Sequence, residues 1–511
     1  MKRILALLLC AALVSGTLSG CKPEESPYIP TGDGLTWEDE IRPTSPVTEM
    51  DMSLPYFPER GLNPLKSSDY INRNIFNLIY QGLFSVDADY RVWPILCKNY
   101  AVSDDMKVYT FYLQDATFPN GDRLTAADVV ASLKAAMVSD VYKGRFGYVK
   151  AIDITEDGAV RVTLEIPYEN FLILLDVPII QQGQIDAERP LGTGPYLYEN
   201  YAGRLRLRRR TDWWCAAALP VTAEHIQLTE GEDPAQLRDA FEFSGLGLVT
   251  ADPGSTSYVD YHSDYELWDS ENGVFLYLGC NSTSAVLSNQ SVRAALTYAI
   301  DRDALVETYY RGFAYSAVLP ASPQSPYYSD VLAQKYSYDS QILTQAVADA
   351  GLVGAEVKLL VNTDDSVRLR MARTIAQMLS ESGLKVVTLE RNTEAFLYNL
   401  KYRNFDLYIG QTRLSSNMDL SAFYKSSGSL NYGGMSNAAL YGLCLDALAN
   451  SGNYYTLHRK VLEDGKLCPL LFRSYAVYAQ RGMFSDLTPA RDNVFFYHLG
   501  RSIDKARITQ E

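Results

Sequence analysis

The stretch from Arg189 to Arg210, RPLGTGPYLYENYAGRLRLRRR, is the part of this chain that comes nearest to a phosphate-binding loop. A dinucleotide fingerprint needs a third glycine and a helix whose N-terminus meets the pyrophosphate. Here Pro195 follows the glycine pair, and from Arg204 arginine and leucine alternate. A period of two predicts a half-exposed strand with leucines on one face and arginines on the other. The stretch is therefore interpreted as β structure and not as a nucleotide loop.

Common sequence motifs of catalytic sites are missing from the sequence. The chain has no GxSxG elbow, no Walker loop and no SxxK motif beside a signature of acyl-serine enzymes. No pair of histidines has the spacing of a zinc-protease helix, and the histidines are His225, His262, His458 and His498. Carboxylates are numerous, but a glycosidase pair is defined by its separation in space. We predict a protein that is not an enzyme and uses no cofactor and no metal.

Tyrosine is abundant, with 37 residues and the adjacent pairs Tyr309-Tyr310, Tyr327-Tyr328 and Tyr454-Tyr455. A tyrosine offers a ligand both a flat apolar face and a hydrogen-bonding tip. Each single tyrosine is better interpreted as ordinary core or half-buried surface. Only their total number favours a ligand cleft.

The N-terminus has the layout of a secretory signal. Lys2 and Arg3 precede an apolar run from Ile4 to Val14 that is too short to span a bilayer. Leu18-Ser19-Gly20-Cys21 resembles a bacterial lipobox, which predicts cleavage after residue 20 and two acyl chains on Cys21. Residues 21–48 are rich in Pro, Gly, Ser and acids and predict a flexible tether. The alternative is an ordinary cleaved signal with a chance cysteine.

Length, charge and cysteine content limit the remaining possibilities. A chain of 511 residues predicts two or three domains. Without residues 1–20 it has 44 basic and 61 acidic side chains, a net charge of −17, which argues against nucleic-acid binding. The cysteines beyond the predicted anchor are odd in number, form no CxxC pair and are interpreted as packed thiols: Cys97, Cys215, Cys280, Cys444 and Cys468.

The first half predicts a small α+β unit. Strands are expected at residues 107–113, which are dense in strand-forming residues, and at 159–166, where apolar residues alternate with polar ones. Between them, Thr125 and Asp128 form a capping-box pattern at the start of a helix.

The second half alternates strands and helices. Strands are expected at residues 357–362, 385–390 and 405–410, with a helix from Asp365 to Ser382 that stops at Gly383 and another at residues 393–400. This alternation predicts right-handed crossovers and a parallel sheet covered by helices. Two further helices precede it, the second capped by Asp301 and stopped at Gly312.

Five stretches, in this order over almost all of the mature chain, resemble the oligopeptide/dipeptide-binding family of extracytoplasmic solute-binding proteins of bacterial ABC importers (solute-binding family 5). They are SSDYINRNIFNLIYQGLFSVD (67–87), YTFYLQDATFPNGDRLTAADVVASLKAA (109–136), PLGTGPYLYENY (190–201), SVRAALTYAIDRDALVETYYRGFA (291–314) and FDLYIG (405–410). The GTGPY segment resembles the family's link from an inserted subdomain back into the first lobe.

The resemblance implies an α/β, two-lobed periplasmic-binding-protein-like fold (class II, large type) with a small α+β subdomain inserted in lobe I. The implied boundaries are lobe I at residues 49–85, 189–270 and 473–511, the subdomain at 86–188 and lobe II at 271–472. Ligand would be enclosed between the lobes and delivered to an ABC permease driven by its ATPase. We expect a monomer held at the membrane by the lipid on Cys21.

The resemblance also locates candidate ligand contacts. Peptide-binding members tend to carry an aspartate for the ligand's α-amine after the strand that FDLYIG matches, whereas the corresponding residue here is Ser416. Arg413 lies three residues earlier and suits a carboxylate, although a surface or lobe-to-lobe salt bridge is an equal alternative. The candidate ligand contacts are Arg413, Ser416, Asn417, Asp419, Asn281 and Tyr432.

We favour an anchored receptor for a peptide or peptide-like solute. Within the binding proteins, the alternative is a sensor that captures a signalling peptide and supplies no importer. From another class, the alternative is a cell-envelope hydrolase on a lipoprotein stalk.

Overall fold

The computed structural model describes residues 52–221, 223–484 and 487–495. The predicted signal peptide, Cys21 and its lipidation, the tether and His498 lie outside the described residues. The strands are β1 (Met52–Tyr56), β2 (Phe84–Val86), β3 (Val92–Pro94), β4 (Cys97–Val102), β5 (Val108–Leu113), β6 (Val149–Ile154), β7 (Val160–Leu164), β8 (Tyr196–Tyr201), β9 (Arg204–Arg209), β10 (His225–Glu230), β11 (Leu248–Ala251), β12 (Tyr265–Cys280), β13 (Ala314–Ser316), β14 (Glu356–Asn362), β15 (Lys385–Arg391), β16 (Leu407–Arg413) and β17 (Leu467–Gln480).

The α-helices lie mainly in the second half of the chain. They are α1 (Tyr70–Ile79), α2 (Ala126–Val138), α3 (Pro234–Glu242), α4 (Gln290–Ala295), α5 (Arg302–Tyr310), α6 (Asp330–Ala333), α7 (Ser340–Asp349), α8 (Ser366–Glu381), α9 (Thr393–Tyr402), α10 (Ser421–Tyr424), α11 (Ala438–Ala449) and α12 (Tyr454–Asp464).

The first lobe is built on a four-stranded sheet in the order β1-β10-β9-β8. Strands β8 and β9 form a hairpin through Ala202 and Gly203, both with positive φ, as predicted from the alternating sequence. Glu199 on β8 accepts hydrogen bonds from both Arg206 and Arg208 on β9. Part of the arginine charge is therefore neutralised within the sheet, which confirms the interpretation as a strand face.

The inserted unit is the antiparallel sheet β4-β5-β7-β6 with α2 packed on it. The capping box is present, because Asp128 accepts hydrogen bonds from the backbone N–H and the hydroxyl of Thr125. The predicted inward face of β7 is buried, with Val160 and Val162 fully enclosed. The α+β character predicted for this part of the chain is confirmed.

The second lobe contains the predicted parallel strands. Strand β14 pairs in parallel with both β15 and β16, and helix α8 packs on β14 and β15. Asp365 caps α8 by accepting a hydrogen bond from the Arg368 N–H, and Gly383 beyond its end has φ +96°. Strand β16 begins two residues later than predicted and continues to Arg413.

The sheet of the second lobe includes two long strands, β12 and β17. The sheet has the order β11-β17-β12-β16-β14-β15, with β13 also paired to β17. One end of β17 pairs with β11, and the Val274–Cys280 end of β12 pairs with β16. The register of β12 on β17 shifts between Glu271 and Phe275, and Gly273 has φ +69°. A bulge of this kind bends a strand and increases its twist.

The GTGPY segment packs against the last turn of α1. A Cβ on Gly192 would lie 2.2 Å from the carbonyl oxygen of Ile79, and the Gly194 N–H donates to the same oxygen at 2.8 Å. The two glycines are therefore required by the close approach of two backbones.

The interior accounts for many of the tyrosines and for the five described cysteines. Tyr109, Tyr196, Tyr277, Tyr408 and Tyr424 are among the largest fully buried side chains. All five cysteines are buried and unpaired, as predicted for packed thiols. One apolar core joins the first lobe, the inserted unit and one face of the second lobe, and a second core fills the other side of the second lobe. Within the described residues, none of the helices has the length and apolar character needed to cross a membrane.

Candidate functional site

A cavity lies where the first lobe, the inserted unit and the second lobe meet. The space that a water-sized sphere can occupy inside it is about 50 Å³, within a wider opening of about 730 Å³ that includes solvent. The apolar part of the lining includes Phe76, Tyr80, Phe84 and Tyr142. The charged part consists of four arginines and two aspartates: Arg73, Arg145, Arg413, Arg491, Asp176 and Asp492.

Asp492 is the centre of the charged part. Its Oδ1 accepts hydrogen bonds from Arg73 Nη1 at 2.5 Å and from Arg413 Nη2, and its Oδ2 lies 3.5 Å from Arg145 Nη2. Burial by itself would raise the pKa of this carboxyl group, but the surrounding arginines, Arg413 first among them, hold it far below its usual range. Asp492 is thus a partly buried anion with three cationic partners from three parts of the molecule.

Helix α1 positions two of the groups that hold Asp492. Asp69 caps the helix by accepting hydrogen bonds from the N–H groups of Ile71 and Asn72. Arg73 and Asn77 are four residues apart and so lie on one face of α1. Asn77 Nδ2 donates to the carbonyl oxygen of Asp492 at 2.6 Å, beside the Arg73 contact with the carboxylate. The helix therefore binds both the backbone and the side chain of Asp492.

The inserted unit contributes Arg145, in the turn after α2. Its guanidinium forms a partly buried salt bridge with Asp176 and lies over the ring of Tyr142, 5.0 Å from the centroid. Arg145 therefore has a carboxylate partner of its own besides Asp492.

A second buried carboxyl group, Glu271, lies at the start of the β12 bulge. It accepts hydrogen bonds from the Tyr90 hydroxyl at 2.8 and 2.9 Å and from Ser322. Burial raises its pKa, although Arg491 opposes the shift. Arg491 Nη2 donates to the Leu414 carbonyl oxygen, whereas its buried Nε and Nη1 have no hydrogen-bond partner among the described residues.

Arg413 and Ser416 are the two predicted contacts that line the cavity. Arg413 ends β16, and its Nε donates to the Asn272 carbonyl oxygen at 2.9 Å. A third of its side chain is exposed. The sequence predicted either a ligand carboxylate or a salt bridge for Arg413, and the structure has a salt bridge, to Asp492. A carboxylate of the chain itself therefore lies where a ligand carboxylate was predicted.

Asn417 and Asp419 lie deeper, between the inserted unit and the second lobe. Asn417 is fully buried. Its Nδ2 donates to the Tyr168 hydroxyl, and its backbone carbonyl oxygen accepts from the Tyr454 hydroxyl. Asp419 Oδ1 accepts from the Ser421 N–H at 2.8 Å, and burial raises its pKa. Neither residue is among those that line the cavity.

Asn281 and Tyr432 lie together at another place in the second lobe. The side-chain amide of Asn281 donates to the carbonyl oxygens of Phe405 at 2.8 Å and Arg403 at 3.2 Å. Tyr432 meets Tyr408 edge-on, with ring centroids 6.1 Å apart. Neither lines the cavity, so ligand contact by these two residues stays a prediction without support from this geometry.

Five charged residues of the cavity were missed by the sequence interpretation: Arg73, Arg145, Asp176, Arg491 and Asp492. The i, i+4 spacing of Arg73 and Asn77 marks one face of a helix, but no local pattern connects that face with Asp492, 419 residues further along the chain. Within the described residues, no group of three or more His, Cys, Asp and Glu side chains is arranged to hold a metal ion. The chemistry that the cavity offers is recognition of an anionic group by arginine.

Comparison with known proteins supports the architecture. The profile described as bacterial extracellular solute-binding proteins, family 5 Middle, matches residues 91–434. The glutathione-binding protein GsiB of Salmonella typhi is 27% identical over 351 residues, which cover 63% of this chain and 66% of GsiB. The chain thus spans just under two thirds of the length of the curated relatives it matches.

Two solved structures show the same fold over nearly the whole chain. The ABC transporter substrate-binding protein CtaP of Listeria monocytogenes has a TM-score of 0.73 at 19% identity and covers 90% of this chain and 100% of its own. HbpA2 of Haemophilus parasuis has a TM-score of 0.74 at 19% identity, covering 88% and 98%. The predicted two-lobed α/β fold is confirmed.

Proposed function

Because this chain belongs to the bacterial extracellular solute-binding proteins of family 5, we propose that it captures a peptide or peptide-like solute between its lobes and delivers it to the permease of an ABC importer. The permease and its ATPase are the partners in the membrane. The relative GsiB is described as binding glutathione, a small peptide with carboxylate groups, which agrees with this class of solute.

The charge of the cavity is the observation that carries the proposal. Four arginines and two aspartates line it, so the lining has an excess of two positive charges if all six are ionised. Guanidinium groups bind carboxylates with directed, charge-assisted hydrogen bonds. The cavity therefore suits a solute with a carboxylate, and its aromatic side chains supply apolar contact for the rest of the molecule.

The two long strands provide the hinge in this proposal. We assign the first lobe to residues 49–85, 189–270 and 473–511, the inserted unit to 86–188 and the second lobe to 271–472. The register shift of β12 begins at Glu271, where the first lobe is proposed to end. A solute that contacts both lobes stabilises only the closed arrangement, so closure reports that the receptor is occupied.

An anchor at Cys21 completes the proposal. Two acyl chains hold a protein firmly at a membrane surface, and the tether leaves the lobes free to reach the permease. The protein then acts outside the cytoplasm, as a monomer on the membrane. Mass spectrometry of the mature N-terminus tests this directly, because a diacylated Cys21 has a mass that an ordinary cleaved signal does not produce.

The test of solute capture is to identify the compound that co-purifies with the protein from its own host, by mass spectrometry. We expect a small molecule with a carboxylate, which calorimetry then shows to bind and X-ray scattering shows to close the lobes. Solute recovered chemically changed would support the hydrolase alternative instead. Neighbouring genes for permeases and ATPases favour import, whereas an isolated gene favours the sensor.

Substitution Arg413→Ala is expected to weaken binding of that solute ten- to a hundredfold. A hydrogen bond to a charged group contributes about 1.5–3 kcal/mol, and Arg413 is the arginine that the second lobe brings to the cavity. Calorimetry of both proteins measures the change. Arg373→Ala is the control, since Arg373 pairs with Glu390 on the exposed surface of the same lobe. Equal affinity of wild type and Arg413→Ala would remove this arginine from the binding site.

A further inference from the structure

Three arginines from three parts of the molecule converge on a carboxylate that the chain itself supplies. Arg73 belongs to the first lobe, Arg145 to the inserted unit and Arg413 to the second lobe, and all three bind or approach Asp492. Asp492 lies near the C-terminal end of the described residues and lines the cavity between the lobes.

These side chains are largely removed from water. Arg73 exposes 16% of its side chain, Arg145 11% and Asp492 17%. A buried cation without a counter-charge is strongly destabilising, so an arginine cluster of this kind needs an anion. Asp176 compensates Arg145, but Arg73 has no carboxylate partner besides Asp492 among the described residues.

We propose that Asp492 determines the charge of the solute that the cleft accepts, by occupying the point at which the three arginines converge. The inference rests on the proposed function, since it places solute in the same cavity. With Asp492 in place, the three arginines share Asp492 and Asp176. The solute meets the charge that remains on Arg413, a third of whose side chain is exposed, and on Arg491, whose Nε and Nη1 have no hydrogen-bond partner among the described residues. The cleft then takes a solute that presents a single carboxylate here and discriminates against a doubly charged group such as phosphate.

The test is Asp492→Asn, which keeps the shape of the side chain and removes its charge. The backbone carbonyl oxygen that Asn77 binds is retained. Inorganic phosphate and acetate are the probes, used at low ionic strength because salt screens such contacts. We expect Asp492→Asn to bind phosphate at least tenfold more tightly than wild type does. Added phosphate should raise the unfolding temperature of the variant until the site is saturated. The preference for phosphate over acetate should be greater in the variant than in wild type.

The control is Asp252→Asn. Asp252 is comparably buried and receives two hydrogen bonds from Arg473, at 2.6 and 2.7 Å, but it faces a single arginine. This variant is expected to lose stability without any gain in phosphate affinity. If Asp492→Asn folds only when phosphate is present in the refolding buffer, the proposal is supported.

Two outcomes overturn the inference: phosphate affinity of Asp492→Asn within threefold of wild type, or failure of phosphate to recover an unfolded variant. Neither readout needs the natural solute. If the variant gains phosphate while wild type binds no solute from its host, the assignment of Asp492 stands and the proposed function fails. If wild type binds its solute and the variant gains nothing, the inference alone fails.

Discussion

Asp492 and Glu271 are two buried carboxyl groups whose pKa values move in opposite directions. Both lose water, which raises the pKa of a carboxyl group. Around Asp492 the arginines reverse that effect. Glu271 accepts hydrogen bonds from hydroxyl groups, and Arg491 lowers its pKa by less than burial raises it. The number of cationic partners, and not burial, therefore decides the direction in which each pKa moves.

His458 is a buried base. Neither of its ring nitrogens has a hydrogen-bond partner in the part of the chain that the structure describes, and burial lowers its pKa to about 3. The unfolded chain binds a proton on this residue below about pH 6.5, while the folded chain does not until the pH nears 3. Its contribution to stability is therefore present above pH 6.5 and is lost as the pH falls towards 3.

We predict that His458→Leu removes this acid sensitivity. The ratio of the unfolding equilibrium constants of wild type and variant should rise by up to about tenfold per pH unit as the pH falls from 6 to 4. Urea unfolding at several pH values measures it. His262→Leu, at an exposed position, is the control for loss of a histidine. Parallel stability curves for wild type and His458→Leu would contradict the prediction.

At the scale of elements, the junction between α1 and the GTGPY segment has no space for a side chain. A Cβ at position 192 would lie within 2.2–2.9 Å of backbone atoms of Ile79 and of the Tyr80 ring. Backbone atoms at the end of a packed helix cannot yield as a flexible side chain can. This contact fixes where the chain leaves the inserted unit and enters the first-lobe sheet at β8.

Gly192→Ala is therefore expected to destabilise the protein by about 2 kcal/mol or more. Chemical unfolding followed by circular dichroism measures the change. Gly183→Ala is the matched control, because nothing lies within 4 Å of its Cβ position and its φ is not positive. We expect that variant to stay within about 0.5 kcal/mol of wild type. A Gly192→Ala protein as stable as this control would show that the junction can relax.

At the scale of the whole molecule, direct contacts join the inserted unit to the second lobe. The Tyr168 hydroxyl accepts from Asn417 Nδ2, and the Glu169 N–H donates to the Leu448 carbonyl oxygen at 2.9 Å. Glu169 also accepts from the Ser451 N–H at 2.7 Å. In the proposed hinge motion these bonds break when the two parts separate, so they favour the closed arrangement.

Removing the Tyr168 hydroxyl is expected to favour opening. Tyr168→Phe leaves the buried amide of Asn417 unpaired, which costs about 1–3 kcal/mol in the closed arrangement only. Small-angle scattering without solute should then give a larger radius of gyration than wild type. Tyr196→Phe is the control, since that hydroxyl donates to the Ala223 carbonyl oxygen within the first lobe. Identical scattering from all three proteins would show that this bond does not control closure.

The sequence alone determined several of the elements and the family. Thr125 with Asp128, Asp365 with Gly383, and the alternating Arg204–Arg209 strand were predictable because each depends on residues a few positions apart or on one helix or strand. The order of the matched stretches was enough to predict two lobes and an inserted unit. Local hydrogen bonds and hydrophobic periodicity are encoded by neighbours along the chain.

Only the tertiary structure decided which charged residues meet. Arg413 could be selected as a candidate, but its ion pair with Asp492 depends on where residues 79 positions apart come together. The same holds for Arg73 and Arg145, and for Asn281, whose side-chain amide donates to the carbonyl oxygen of Phe405. The physical reason is that a buried charge is stable only beside its counter-charge, and that pairing is set by how the lobes and the inserted unit close on one another.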